Sequence, residues 1–143
     1  MKLNLHKKVI LRIVSKLLIP FILLFGLYVQ WHGDFGPGGG FQAGVIFAAG
    51  FVLYSLIFGV DQVRKLVPPW LFRISLAMGV MLYSGVGIAS IIMGGNFLEY
   101  NVLADERIQG QHIGVLLVEL GVGITVFSAM IAIFITFAGQ DRN

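Results

Sequence analysis

The sequence predicts an all-α membrane protein with four transmembrane helices and both termini in the cytoplasm. Composition is the first observation that predicts this class. Apolar residues make up 57% of the 143-residue chain and charged residues only 12%, whereas a soluble domain carries roughly 25% charged residues. A small soluble globule must expose most of its residues to water, and 10 basic and 7 acidic side chains cannot cover such a surface. Lipid must therefore be the solvent for much of the chain.

Four segments of the chain are apolar and long enough to cross a bilayer, whose hydrocarbon core of about 30 Å needs roughly 20 helical residues. Residues 35–60 and 74–98 carry no charge, and residues 113–140 carry only Glu119. A shorter run at 17–30 is extended by apolar residues around Arg12, whose long side chain can reach the membrane surface. We expect one integral membrane domain over residues 1–143, with spans at about 10–30, 41–60, 70–93 and 112–137.

The distribution of charges around these spans predicts the orientation of the chain. Nine of the ten basic residues fall at the N-terminus, in or beside the second connection, or at the C-terminus, and only Arg107 falls on the opposite side. Because Lys and Arg are enriched in cytoplasmic segments, both termini are predicted to be cytoplasmic. The net charge of +3 then reflects topology and anionic lipid headgroups. Membrane lipids are therefore expected partners, and nucleic acid is not.

Several classes of chemistry have no support in the sequence. The chain has no cysteine, which excludes disulfide bonds and thiolate metal sites. Residues 38–43 match the dinucleotide pattern G-x-G-x-x-A, but no predicted strand precedes them and no Walker lysine follows. The sequence also contains no HExxH motif, no nucleophile elbow and no cluster with metal-ligand spacing. We therefore expect no enzyme, no cofactor, no metal site and no nucleotide partner.

The segment at residues 31–44, WHGDFGPGGGFQAG, is rich in glycine. Pro37 is expected to stiffen a turn, after which small residues recur at a spacing of four to form a ridge of Gly36, Gly40, Gly44 and Ala48. Such a ridge lets another helix approach closely. Helix packing or a tight re-entrant turn is the interpretation we favour, and direct contact with a ligand is the alternative. The packing and motif candidates of this segment are Pro37, Gly38, Gly39, Gly40, Phe41 and Gly44.

Glu119 is the only carboxylate expected well inside a span. His112 lies seven residues earlier, about 10 Å along the helix, and Gly123 lies one turn later on nearly the same face, where it leaves room for a neighbour or for water. A charge there costs at least about 2.5 to 3.5 kcal/mol, so it must be paired, protonated or beside an aqueous path. Two interpretations remain open: a proton relay or cation site, and a neutral Glu that is hydrogen-bonded to a partner helix.

Three more polar residues are candidates for an ion path or its coupling. His32 and Asp34 lie together beside the glycines and could form an outward polar mouth, although a solvated loop also explains them. His112, at the outer edge of the fourth span, suits an interfacial hydrogen bond better than the role of a ligand. These residues therefore accompany Glu119 as candidates.

Three runs of sequence carry a family resemblance: PGGGFQAGV at 37–45, GNFLEY at 95–100 and VELGVGITV at 118–126. In these runs, and over essentially its whole length, the chain resembles the B-type subunits of the Mrp family of cation/proton antiporters, also called Mnh. The resemblance implies a small four-helix component of a hetero-oligomer in the bacterial plasma membrane. Such a complex exports sodium in exchange for protons, supports alkaline pH homeostasis and is related to the membrane arm of respiratory complex I.

The resemblance also limits what this subunit is expected to do. In that family the large antiporter-like subunits carry the proton-pumping Lys and Glu pairs, and this chain has no buried Lys to pair with Glu119. Our leading hypothesis is a transporter subunit in which Glu119 and the mouth near His32 and Asp34 border the route of Na⁺ or H⁺. The second hypothesis is a purely structural subunit that holds neighbouring subunits without contacting the ion path. The third is an autonomous small membrane protein with a lipid-binding or regulatory role.

Overall fold

The computed structural model describes residues 9–33 and 36–140, and in this part of the chain it contains only helices and connections. The α-helices are α1 (Val9–Trp31), α2 (Gly40–Phe58), α3 (Val60–Leu66), α4 (Pro69–Ile92) and α5 (Arg107–Gln140), and a short 3₁₀ helix covers Tyr100–Val102. All of the α-helices except α3 are long and apolar enough to cross a membrane. The all-α class with four candidate spans is therefore confirmed, and the orientation of the termini stays a prediction.

Two helix boundaries differ from the predicted spans. The sequence predicts that the second span continues to about residue 60, but Gly59, with φ of 98°, ends α2 at Phe58 and starts the separate helix α3. A backbone at this positive φ favours glycine. The sequence also predicts that the fourth span begins near residue 112, but α5 begins at Arg107 and runs for 34 residues.

The four long helices form a single row in the order α1, α2, α5, α4. Helix α2 lies between α1 and α5, and α5 lies between α2 and α4, while α1 and α5 touch each other little. Helix α3 packs at the end of α2, and this end of the row is called the α3 side. A buried apolar cluster joins α2, α3, α4 and α5 there, and it consists of Ala48, Val63, Phe72, Ile131 and Ile135.

Basic side chains on the α3 side bring the helix ends together. Arg12 and Lys16 of α1 lie over the ring of Phe58 at the end of α2, at 5.3 and 5.6 Å from the ring centroid. A cation over an aromatic face is attracted by the ring quadrupole. Arg64 of α3 donates a hydrogen bond to the carbonyl oxygen of Ile135 in α5, at 3.5 Å. These contacts connect α1, α2, α3 and α5 at one level of the row.

Glycine brings α5 into backbone contact with both of its neighbours. On the α2 side, a Cβ atom built on Gly44 would lie 2.7 Å from the carbonyl oxygen of Gly123. On the α4 side, a Cβ built on Gly79 would lie 2.8 Å from the carbonyl oxygen of Gly121. Small residues permit such close approach of two helices. The small-residue ridge of α2 is therefore occupied by α5 of the same chain, and Gly36, which precedes α2, does not belong to it.

Two aromatic rings anchor the connection between α4 and α5, on the side of the row opposite to α3, which is called the loop side. The ring of Phe97 lies against Gly87 of α4, in space that a Cβ at Gly87 would fill. Tyr100 places its carbonyl group against Gly110 and its ring against Gly114, both within the first eight residues of α5. The connection thus covers these residues, which fits the early start of α5.

Candidate functional site

Glu119 of α5 lies against the connection between α1 and α2, which we call the glycine loop and of which the structure describes residues 32–33 and 36–39. A Cβ built on Gly39 would lie 2.9 Å from Glu119 Oε1, and a Cβ built on Gly33 would lie 2.6 Å from the same oxygen. At Gly40, the first residue of α2, a Cβ would overlap the carbonyl oxygen of Glu119 and lie 3.0 Å from its Cα. Because Gly33 and Gly39 have no side chain, there is room for the Glu119 carboxylate beside them.

Backbone hydrogen bonds fold the glycine loop back onto the end of α1. The N–H groups of His32 and Gly39 both donate to the carbonyl oxygen of Val29, at 3.3 and 3.2 Å, and the Gly36 N–H donates to the His32 carbonyl at 3.2 Å. Gly39 has φ of 122°, which favours glycine. A Cβ on Gly38 would lie 2.8 Å from the Val29 carbonyl oxygen. A tight turn over a helix end thus accounts for the density of glycine here.

The glycine loop reaches the level of Glu119. The sequence predicts a carboxylate well inside a span, and Glu119 lies within the candidate span Arg107–Ala138, level with the glycine loop where α1 and α2 meet. It is twelve residues, or about 18 Å, from Arg107 at the start of α5. The α4–α5 connection therefore extends further on the loop side than the glycine loop does. The glycine loop covers part of Glu119.

A groove of about 340 Å³ opens beside Glu119, and we call it the Glu119 groove. It is lined by residues 38–42 of the glycine loop and α2 and by Val118, Glu119 and Val122 of α5. Glu119 is half-buried, and Phe41 at the edge of the groove is 63% exposed. A carboxylate in such a position can be reached from outside the helix row, and it can bind and release a proton or a cation.

The structure places the other polar candidates in three different settings. His32 is half-buried in the glycine loop, and its ring stacks on that of Tyr28 with 5.0 Å between centroids. Asp34 lies outside the described residues. His112 is exposed in α5, seven residues and about 10 Å from Glu119 along the helix. Within residues 9–33 and 36–140, no three His, Cys, Asp or Glu side chains form a group that could hold a metal ion.

The remaining motif candidates lie in the loop or between α2 and α5. Pro37 is exposed in the glycine loop. Gly44 and Gly123 belong to the contact between α2 and α5, and a Cβ on Gly123 would lie 3.2 Å from the carbonyl oxygen of Gly40. The room that Gly123 leaves on α5 is therefore filled by the side chain of Gln30 and by the backbone of α2.

Gln30 is a buried polar residue of this region that the sequence does not single out. It lies in the last turn of α1 and is only 8% exposed. Its Oε1 would lie 2.8 Å from a Cβ on Gly123, so it packs against α5 one turn from Glu119. Gln30 could have been recognised in the sequence as an amide side chain at the end of an apolar segment, next to Trp31.

Comparison with known proteins gives the family of the chain. Residues 10–132 match the model of a domain related to the MnhB subunit of Na⁺/H⁺ antiporters. Proteins of Staphylococcus aureus strains Newman, JH1 and USA300, whose name describes an antiporter subunit, mnhB2, are each 35% identical to it over 134 residues. The aligned region covers 92% of this chain and 94% of each relative. The resemblance carried by the three sequence runs is thereby confirmed, and the chain belongs to the MnhB family, the B-type subunits of the Mrp or Mnh Na⁺/H⁺ antiporters.

Proposed function

We propose that the chain is a subunit of a hetero-oligomeric Na⁺/H⁺ antiporter, without enzymatic activity, and that Glu119 borders the route of the transported cation or proton. Membership of the MnhB family supports the role in an antiporter complex, whose other subunits are then the partners of this chain. The observation that carries the role of Glu119 is its position against Gly33 and Gly39 at an open groove.

The surroundings of Glu119 suit the exchange of a proton or a cation. Glu119 is the only acidic residue within the four candidate spans. A charged carboxylate at the bilayer centre costs at least about 2.5 kcal/mol, and this cost falls where water can enter. Glycines stand next to the carboxylate oxygens, and the carboxylate lies at an open groove. Its proton can therefore be exchanged without unfolding the helix row.

The finer function follows from the chemistry of the family. We infer a multi-pass protein of the bacterial plasma membrane that contributes to sodium export, proton uptake and alkaline pH homeostasis. The only small species that it handles are the transported Na⁺ and H⁺, with no cofactor and no nucleotide. We further propose that His32 and Asp34 contribute to a polar mouth of this route, and that His112 is a further polar group along it.

Substitution of Glu119 by Gln tests the proposal, because it keeps the size of the side chain and removes its charge. The complete antiporter complex carrying Glu119→Gln is compared in membrane vesicles with the unmodified complex and with Glu106→Gln, an exposed carboxylate before α5. We expect Glu119→Gln to lose most of the Na⁺-dependent proton exchange over the whole pH range, and Glu106→Gln to retain it. Unchanged exchange by an assembled Glu119→Gln complex at every pH would overturn the role of Glu119.

The structural alternative makes the opposite prediction for the same variant. A subunit that only holds its neighbours tolerates Glu119→Gln wherever the complex still assembles. The ridge of Gly40 and Gly44 contacts α5 of the same chain, so these residues stabilise the subunit itself and are not free to hold a neighbour. Quantifying co-purified subunits beside the exchange rate separates a loss of assembly from a loss of transport.

A further inference from the structure

One face of the helix row carries the Glu119 groove, and a second depression continues it across α5. This depression lies between α4 and α5, has a volume of about 280 Å³ and is lined by Val80, Tyr83, Val122, Thr125 and Val126. Val122 lines both the depression and the Glu119 groove. The two therefore lie on one face of the row, which we call the groove face.

The other face of the row, which we call the opposite face, is different in its chemistry. It has one depression among α1, α2 and α5 and another between α4 and α5, and the α5 residues that line them include Ile113, Leu117, Leu120 and Ile124. These residues recur every three or four positions and so share one side of the helix. Leu120 is two positions from both Val118 and Val122, which corresponds to about 200° around the helix axis. Among the described residues, no ionisable side chain lines either depression.

The groove face, in contrast, carries an ionisable side chain within a candidate span. Glu119 is half-buried in the span Arg107–Ala138 and lines the groove together with the exposed Gln42. Ionisable residues in spans face a bundle interior or a water-filled cavity, and lipid tails offer them neither hydrogen bonds nor charge. A carboxylate has about four acceptor positions, so it can accept from a second chain in addition to its own. The groove face therefore suits contact with protein better than contact with lipid.

A second copy of this chain is a poor match for the groove face. A symmetric dimer uses the same patch on both copies, so contact through this face would bring two Glu119 carboxylates toward each other. Two carboxylates that share a site repel, and the pKa of one is strongly raised. A different subunit can bring a complementary side chain instead, and the family of this chain is one of antiporter subunits. Charge complementarity thus favours another subunit over a second copy.

The shape of the groove face fits a helix that crosses the membrane beside α5. The centre of the face is a stripe of Val118, Val122 and Val126, with a depression on either side. Phe41 of α2 and Val80 of α4, both exposed, flank this stripe. Side-chain ridges of one helix pack into the grooves of another. The stripe is about 12 Å long, or two helical turns, which is enough for such packing.

We propose that the groove face is the docking surface for a membrane-spanning helix of another antiporter subunit, which places a hydrogen-bond donor opposite Glu119, and that the opposite face meets lipid. The proposal rests on the proposed role of the chain in a hetero-oligomeric complex, and it does not require an ion route at Glu119. The docked helix covers Val122 and both depressions, and the carboxylate then lies at the boundary between two subunits.

The test places a photoreactive amino acid at single positions of this chain, in the complete complex in its membrane. Val80 and Met81 are a matched pair, because they are neighbours in α4, are 51% and 72% exposed, and line depressions on different faces. Phe41 and Leu27 are a second exposed pair, nearer to the glycine loop. After illumination, mass spectrometry identifies what is linked. We expect Phe41 and Val80 to link to a membrane-spanning peptide of another subunit. Leu27 and Met81 are expected to link to lipid.

Two substitutions in α5 test the same assignment by adding bulk. Val122→Trp inserts an indole between depressions of about 340 and 280 Å³, where its own chain leaves space. We expect it to lower the amount of co-purified partner subunit about tenfold, because the docked helix meets an overpacked position. Leu120→Trp, on the opposite face, is expected to retain the partner. If Val122→Trp fails to fold, the cross-linking pairs still test the proposal.

Four results would overturn the proposal. Phe41 and Val80 could link to lipid alone, or to a second copy of this chain. Val80 and Met81 could link equally to another subunit. An assembled Val122→Trp complex could keep its full complement of partner subunit. Finally, the helix linked to Phe41 could lack any donor side chain within one turn of the linked residue.

The outcome for the ion route is read separately. Subunit cross-links from Phe41, together with unchanged Na⁺-dependent proton exchange in Glu119→Gln, would keep the docking surface and remove Glu119 from the route. Lipid cross-links from Phe41, together with exchange that depends on Glu119, would do the reverse.

Discussion

Gly40 and Glu119 meet backbone to backbone: a Cβ placed on Gly40 would overlap the carbonyl oxygen of Glu119 and lie 2.7 Å from its carbonyl carbon. This single contact joins the start of α2 to α5 and fixes the level at which the Glu119 carboxylate enters the glycine loop. Structure and candidate site therefore depend on the same pair of residues.

The first prediction concerns this contact. Gly40→Ala is expected to destabilise the chain by about 3 kcal/mol or more, because the new methyl group meets rigid backbone that cannot move away. Gly85→Ala in α4 is the matched control, since its Cβ would meet no described atom within 4 Å. That variant is expected to be neutral or up to about 1 kcal/mol more stable, because alanine favours helix. The measurement is the thermal midpoint of the detergent-purified complex, and equal midpoints for the two variants would contradict the prediction.

The second prediction tests whether the exact position of the Glu119 carboxylate matters for transport, in addition to its presence. Gly33→Ala places a methyl group against the Glu119 oxygens, so Na⁺-dependent proton exchange is expected to fall by about tenfold or more, given that 1 Å of misplacement can cost a hundred-fold. Glu119→Asp withdraws the carboxylate by one methylene group, and the double variant is expected to lose less than the sum of the two single losses. Exchange rates per assembled complex give this coupling. Strictly additive losses would show that Gly33 and Glu119 act independently.

The third prediction concerns orientation, for which the chain offers a natural background because it has no cysteine. Asp105→Cys, in the α4–α5 connection, is expected to react with a membrane-impermeant maleimide in intact cells. Lys65→Cys, in α3, is expected to react only after permeabilisation. Both residues are exposed, so burial does not explain a difference between them. The reverse pattern would place both termini outside the cytoplasm.

The fourth prediction concerns stability at alkaline pH. Burial, followed by the electrostatic effect of the neighbouring Tyr83, raises the pKa of Tyr100 above its usual value of 10.0. The folded state therefore holds this proton more tightly than the unfolded state, so the contribution to stability is fully present below pH 10 and is lost as the pH rises through the raised pKa. Tyr100→Phe removes this loss, and Tyr83→Phe reduces it. Thermal midpoints measured between about pH 9 and 11 test the prediction; an unchanged alkaline slope in Tyr100→Phe would contradict it.

Composition and charge predict the membrane-helix class well. Lipid is the solvent of the spans, and it favours apolar residues at every position. The position of Glu119 beside the glycine loop is harder to predict, because it depends on which residues face the carboxylate. Gly33 and Gly39 lie 80 or more positions away in the sequence, and periodicity within α5 gives the face of Glu119 but not its neighbour. The sequence therefore indicates Glu119 as a candidate residue, but it does not indicate which residues surround it.

Glycine patterns are a second case in which the sequence indicates a property but not a partner. Gly79 and Gly85 lie six residues apart in α4, yet only Gly79 contacts α5, whereas Gly85 stands at open space among the described residues. The two are alike in composition and differ only in the direction they face once α4 is packed. For the same reason the burial of Gln30 becomes apparent only once α1 is packed against its neighbours.

The single row of α1, α2, α5 and α4 has a consequence for any permeation pathway. A pore requires a closed ring of helices, and a row one helix thick can supply only a partition with two open faces. An ion that passes Glu119 would have this chain on one side and atoms of another subunit on the other. Permeation would then be a property of a shared boundary, and no isolated copy of this chain would conduct.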